Sequence, residues 1–471
     1  MNRRVFLGAV GSSAVALSGC NAFSGESEEF PGQGTVSCGA DASETTTPAS
    51  QSSLTPVEGS WPTTYYDAQL TAYNPDATPP RSCPQVQWRS RIEVQAEVAG
   101  QGDRWDLYYD LHGSPAVVDG SCYVCDVENE FYAFDAATGQ ERWRKELNRS
   151  GSQGVSVVDN VAYFGNGPSV RAIDLIDRTE RWHATPPQAE LNMDSTKFSP
   201  TTAPTVGMGS VCVGTVGGLV QAFDASTGRL QWQYDVVEDP PEPVDWRPDD
   251  DDYEAYPSVG APAIAGERVY AGDLTGAVTA FDRPTGDRQW RTQLNTLVNG
   301  GLAVAGDSVY VTTLTDLYRL SRETGQIIWA LSDTFESETA GPGETPPTKQ
   351  GIHVIGQPAI ATDSQSAEGS SPDGLVYLFA AQRGRPRQVR AVDMMTGSVE
   401  WTAPVSTSWT AGISVGGDVV LANAGDYAVA MDRYDGSVLW GIEVSHSTDT
   451  CALVGDAVFI SDFAGYVYGI A

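Results

Sequence analysis

Asp135-Ala136-Ala137-Thr138-Gly139-Gln140-Glu141-Arg142-Trp143 is the stretch that decides the fold. Apolar residues alternate as in a strand before Asp135, and a second strand-like run is centred on Trp143. Between them lies turn chemistry: the Asp accepts hydrogen bonds from turn amides, and the Gly takes the positive φ that ends a short hairpin loop. The stretch reads as a β-hairpin.

Its Asp-to-Trp spacing returns at Asp174 to Trp182, Asp224 to Trp232, Asp282 to Trp290, Asp393 to Trp401 and Asp432 to Trp440. Gly228, Gly286, Gly397 and Gly436 repeat the role of Gly139, while Ile176-Asp177-Arg178 has no Gly. Ser321 to Trp329 loses the Asp but keeps Thr324-Gly325. Seven copies are visible, and three neighbouring pairs are separated by 39 residues; longer intervals carry insertions. A further 39 residues beyond Asp432 is Ala471, where the sequence ends without its Trp strand. The missing strand stands upstream, in Gln85-Val86-Gln87-Trp88-Arg89-Ser90-Arg91-Ile92. An N-terminal strand that completes the last repeat removes the sheet edges of a ring. The expectation is an all-β, eight-bladed propeller of four-stranded antiparallel blades over residues 84–471, closed by the strand at Trp88.

Met1-Asn2-Arg3-Arg4 and the apolar run to Leu17-Ser18-Gly19-Cys20 resemble a twin-arginine lipoprotein signal over residues 1–20. On that reading the protein is exported, and lipid on Cys20 holds it to the outer face of the cytoplasmic membrane. Residues 21–60, rich in Ser, Thr, Gly and Glu, read as a flexible tether. The aromatic-bearing segment 61–83 is expected to pack on the propeller.

The formal net charge is −33, and among 28 basic residues only Lys145, Lys197 and Lys349 are lysines. Such a surface resembles that of proteins from extreme halophiles, here a haloarchaeal one, because molar salt screens like-charge repulsion. It argues against nucleic acid or anionic membrane surfaces as partners. Beyond Cys20 there are six cysteines; Cys122 and Cys125 lie three apart on a predicted strand, point to opposite faces and make a poor pair or metal clamp.

With Asp, Thr-Gly and Trp at these spacings, the chain resembles the pyrroloquinoline-quinone-like β-propeller repeat superfamily. The resemblance implies that the Trp side chains tie neighbouring blades together. The superfamily holds quinoprotein dehydrogenases and non-catalytic members, the latter including scaffolds of the β-barrel assembly machinery and sensor domains. The dehydrogenases carry adjacent cysteines beside the quinone and a Glu, Asn and Asp set around calcium, and this chain has no adjacent cysteines. The expected function is therefore a monomeric cell-surface scaffold that binds a protein or ligand and needs no cofactor. The alternative is a redox enzyme using the quinone with Ca²⁺.

Loops on a rigid scaffold carry function, and three long inter-blade connections, 186–200, 238–257 and 332–350, fall on one predicted face. There the run Asp249, Asp250, Asp251 and Asp252 offers carboxylates to a hard cation, or is a solvated acidic surface. His112, His353 and His446 precede inner strands on that face, where three imidazoles could converge on a metal or anion at the axis. Arg383, Arg385 and Arg387 form a basic patch suited to gripping a carboxylate or phosphate, or to pairing with the protein's own acids.

Overall fold

The computed structural model describes residues 54, 57–92, 113–126, 130–147, 154–185, 199–236, 258–332, 338–340, 352–362, 373–382, 387–405, 412–444 and 450–471. Among them there is no helix, and the strands form eight sheets, antiparallel except for the added strand Tyr73–Asn74. Blades 1 to 7 are residues 116–146, 155–184, 205–235, 263–293, 301–332, 352–405 and 413–443. Blade 8 takes its three inner strands from 452–470 and its outer strand, Val86–Arg91, from the other end of the chain.

That closure reproduces the internal turn. In blade 1 the Asp135 amide donates to the Gln140 carbonyl at 2.8 Å; in blade 8 the Ala471 amide donates to Gln85 at 3.1 Å across the gap between the two ends. The ring is thus cut within one hairpin turn, where no core hydrogen bond need be lost.

Each hairpin turn works as its residue types dictate. Asp224 Oδ1 accepts from the amides of Ser226 and Thr227 at 3.2 and 2.9 Å, and Gly228 takes φ +69°. The Trp of one blade then lies flat on the turn glycine of the next: a Cβ built on Gly228 would sit 2.5 Å from the Trp182 ring, and one on Gly286 2.6 Å from Trp232. The indole N–H donates to the carbonyl after the Asp, as from Trp88 to Ala136 at 3.0 Å, Trp182 to Ala225 at 2.9 Å, Trp290 to Arg322 at 3.1 Å, Trp329 to Met394 at 3.3 Å and Trp401 to Arg433 at 2.9 Å. Blade 8 has no such turn, and Trp440 donates instead to Pro80, at 2.6 Å. Trp143 meets Arg178 in place of a glycine, with the guanidinium 5.3 Å above its ring.

The inner strands converge on the axis and present unpaired backbone groups there, which burial makes costly. Residues 61–79 satisfy them. This strap exchanges hydrogen bonds with Val117 through Trp61, then accepts from Val157, Ile264, Val304, Ile360 and Val415 through the carbonyls of Pro62, Ala68, Gln69, Thr71 and Ala72. Ala68 packs on Gly207 of blade 3, and Asn74 Nδ2 donates to Leu453 of blade 8 at 2.8 Å. Tyr73–Asn74 pairs in parallel with Ile413–Gly416. All eight blades therefore touch one short segment. Its tight circuit needs left-handed backbone at Tyr66, Leu70 and Ala72, with φ of 72°, 62° and 52°, conformations that side chains beyond glycine adopt at a cost.

Candidate functional site

The strap divides the molecule into two faces. The Asp–Gly turns lie on one; the outer strands of blades 2, 3 and 5 end toward the other, termed the insertion face, and residues 186–198, 237–257 and 341–351 lie outside the described residues. Between them the strap lines the axis, and its Trp61, Tyr65, Leu70 and Ala72 are buried, Trp61 completely. Toward the insertion face the strap reaches Thr64, whose carbonyl accepts from the Thr450 hydroxyl, and Thr450 is itself held by Ser114.

On the insertion face blade 6 stands apart. Its first strand Ile352–Thr362 and second strand Gly374–Gln382 are 11 and 9 residues long, where first strands elsewhere have three to five and second strands five or six. His353 pairs with Ala381, and Ala380 with Gln388, so continuing the antiparallel register puts His353, Ala381 and Arg387 in one row across the sheet. Neighbouring strands are about 5 Å apart, which spaces the His353 and Arg387 backbones by roughly 10 Å with only an alanine between. The structure thus brings one of the histidines and one of the arginines onto the same blade. His112, His446, Arg383, Arg385, Asp249, Asp250, Asp251, Asp252 and Cys20 lie outside the described residues.

The repeat residues occupy blade interfaces. Trp88, Trp182, Trp232, Trp290, Trp329, Trp401 and Trp440 are all buried against neighbouring blades, and Asp135, Asp224, Asp282, Asp393 and Asp432 organise turns through their carboxylates. Burial pushes the Asp135 carboxyl up, but its bonds to Arg142 and Thr138 outweigh that and hold it below the usual carboxylate range. The four described free cysteines, Cys122, Cys125, Cys212 and Cys451, are buried. Cys122 and Cys125 pack into separate apolar clusters on either side of their blade. Burial pushes the Cys122 and Cys212 thiols up to about 12, so neither supplies a thiolate near neutrality. Cys83 is disulfide-bonded.

Two further sets of residues were not singled out in the sequence. Asp126, Asp273 and Asp462, at 3%, 2% and 0% exposure, shape the middle-strand turns on the insertion face. Asp462 Oδ1 accepts from the Tyr466 amide at 2.8 Å and its other oxygen from the Tyr468 hydroxyl at 2.7 Å. The signal was legible, since Asp273 and Asp462 are each followed three residues later by a Gly. Arg283, Arg322 and Arg433 follow the turn Asp or its Ser substitute and rivet blades together. Arg322 donates to Gly306 of its own blade at 3.2 Å and to Ala265 of the preceding one at 2.9 Å; Arg433 does the same to Gly417 and Ala361 at 3.3 and 3.1 Å. The scarce arginines are spent here on structure.

The superfamily implies a quinone, which its enzymes hold near the axis. A stacking Trp on the axis needs an open ring face, and Trp61 has none. Among the described residues no three His, Cys, Asp or Glu side chains are grouped to hold a metal ion. Among the described residues the molecule offers a closed ring of eight blades lined by a buried strap.

Comparison with known proteins follows the same lines. The family described as outer membrane protein assembly factor BamB matches residues 83–331 and 373–470. The chain is 25% identical to the outer membrane protein assembly factor BamB of Burkholderia pseudomallei over 395 residues, covering 82% of this chain and 90% of that protein. It is 30% identical over 182 residues to the dehydrogenase subunit of a quinone alcohol dehydrogenase from Gluconobacter oxydans, but this spans 32% of the chain and only 24% of the enzyme. The solved structure of a quinohemoprotein alcohol dehydrogenase from Pseudomonas putida superimposes with a TM-score of 0.65 at 15% identity, covering 88% of this chain and 80% of that one. At that identity the likeness is one of fold alone.

Proposed function

This chain belongs to the BamB-type family of pyrroloquinoline-quinone-like propellers, and from that premise we propose that it is a protein-binding scaffold of the cell envelope. In this reading the twin-arginine leader exports it, lipid on Cys20 anchors it to the outer face of the cytoplasmic membrane, and residues 21–60 tether it. Its role is envelope assembly or sensing. The observation that supports the reading is the strap, whose Trp61, Tyr65 and Leu70 are buried along the inner strands, which favours binding at the faces and rims. The insertion face, with the elongated blade 6, is the surface that partners would engage. Affinity capture from native membranes in molar salt tests this: a specific protein should co-purify, and its recovery should fall when the blade 6 extension is trimmed. Recovery of no specific protein would count against the scaffold.

The second reading, a quinone-dependent dehydrogenase, draws on the 30% identity to the Gluconobacter oxydans enzyme. It predicts a bound quinone chromophore and Ca²⁺-dependent dye reduction with alcohols or sugars. The buried strap along the axis weighs against it.

A further inference from the structure

The cysteines of the chain divide by where they stand. Cys122, Cys125, Cys212 and Cys451 are free and buried. Cys83 differs on both counts, being exposed and disulfide-bonded. With those four free, only Cys20 and Cys38 are left to be its partner. Cys83 is also held in place. It lies in the segment that stands in for the missing turn of blade 8, between Arg81, which donates to the Asp418 carbonyl at 3.3 Å and pairs with Asp432, and Gln85, whose amide donates to Ala471 at 2.9 Å. The face of the Asp–Gly turns also receives the chain earlier: the Leu54 amide donates to the Ala137 carbonyl, in the hairpin turn of blade 1, at 2.9 Å.

We propose that Cys38 is cross-linked to Cys83, a disulfide clasp that fastens the tether to the turn face beside the closure of the ring. The choice of Cys38 over Cys20 rests on the scaffold reading, in which Cys20 carries lipid through its sulfur and has no thiol to give. Export brings the chain to oxidising surroundings in which such a bond persists. The Cys83 thiolate attacks the disulfide of a thiol–disulfide oxidoreductase and expels one of its sulfurs; the Cys38 thiolate then attacks the Cys83 sulfur of the mixed disulfide and expels the other. Two thiols of this chain are oxidised, two of the oxidant are formed, and the two protons pass to the expelled sulfurs. The clasp resets the tether. Between Cys20 and Leu54 lie 33 residues, and between Cys20 and Cys38 lie 17. The r.m.s. reach of a linker grows as the square root of its length, so the clasp shortens it by about a quarter. It also moves the point of attachment from the blade 1 turn to the junction of blades 7 and 8.

The test uses the full chain in native membranes, with an epitope inserted between Ser24 and Gly25 and a specific-protease site between Ser50 and Gln51. After cleavage and alkylation of free thiols, a denaturing gel without reductant should show the epitope still on the propeller-sized band, and reductant should move it to a small fragment. C83S and C38S should each lose the epitope from that band without reductant. Loss of the epitope from the parent chain without reductant overturns the clasp, and this readout needs no cysteine variant to fold. Retention by C83S overturns it as well. Retention by C38S assigns Cys20 as the partner, which overturns the proposal and removes the lipid with it. Fractionation of the uncut chain separates the two readings: a clasped protein found outside the membranes removes the anchor and leaves the Cys38–Cys83 bond, whereas a membrane-held protein that loses its epitope without reductant keeps the anchor and loses the clasp.

Discussion

At the scale of single residues, the turn glycines carry two constraints that substitution can separate. Gly228 needs positive φ and also has the Trp182 ring 2.5 Å from where a Cβ would stand, whereas Gly209, at φ +78°, has nothing within 4 Å. Gly209→Ala should cost only the left-handed penalty, about 1 kcal/mol. Gly228→Ala adds displacement of a buried indole and should cost roughly 2–4 kcal/mol. Urea unfolding of both in molar salt checks the order, and equal losses would mean that the Trp does not tie the blades. Asp67 makes a second prediction. It accepts from the Thr71 amide and hydroxyl at 3.0 and 2.7 Å, and although a sliver of it is exposed, protein surrounds it; burial pushes its carboxyl up to about 6 against the pull of those bonds. A carboxyl raised on folding contributes stability that is complete below its ordinary value near 4 and is lost as pH rises through 6. The window is worth roughly 2–3 kcal/mol. Asp67→Asn cannot titrate, so the stability difference between wild type and this variant should move in favour of wild type between pH 7 and pH 4.5. A difference that is flat across that window would show that Asp67 does not hold the proton.

At the scale of elements, the strap does for the inner edges what the outer-strand charges do for the outer ones. Trp61, wholly buried with its amide donating to Val117 at 2.7 Å, is where it first engages the ring. Trp61→Ala leaves an axial cavity and should cost about 3–5 kcal/mol; Trp61→Phe keeps the wedge and should cost well under half of that. Thermal midpoints decide, and equal midpoints for the two variants would reduce the strap to a surface decoration. The strap also marks the limit of what was legible beforehand. The ring could be counted because Asp, Gly and Trp each act locally or on the next blade, so their spacing recurs. The end strand could be matched because Trp88 repeats the same phrase. Residues 61–79 have no period: their course is set by unpaired amides on six inner strands far away in sequence. The inter-blade arginines were illegible for the same reason, since Arg283, Arg322 and Arg433 find their acceptors on other blades as well as their own. The candidate site was the least legible of all. Its histidines stand alone in the sequence and far from the Arg383–Arg387 run, and only the register of blade 6, continued by one residue, sets His353 and Arg387 in one row.

At the scale of the whole molecule, two electrostatic effects oppose each other and their sizes decide the response to salt. Among the described residues most ion pairs have at least one exposed partner, and Arg319–Asp307 at 3.2 Å has its arginine buried. Arg142–Asp135 and Arg181–Asp174, at 2.7 and 2.6 Å, leave each arginine about two-fifths exposed, and such pairs are worth about 0–1 kcal/mol each, less in salt. Against them stands a net charge of −33 on one compact ring. At an ionic strength of about 0.1 M the screening length is about 10 Å, so neighbouring carboxylates across the surface repel; at about 1 M it falls to about 3 Å and most of that repulsion is gone. Repulsion between many charges should outweigh a handful of surface pairs, and salt should stabilise the fold. The unfolding midpoint should therefore fall steadily as NaCl is lowered from about 3 M to about 0.1 M, with most of the loss below about 1 M where screening lengthens fastest. Sucrose at matched water activity separates the causes, because it favours burial without screening charge. A midpoint that sucrose restores in full, or one that rises as salt is withdrawn, would show that the acidic surface does not govern stability.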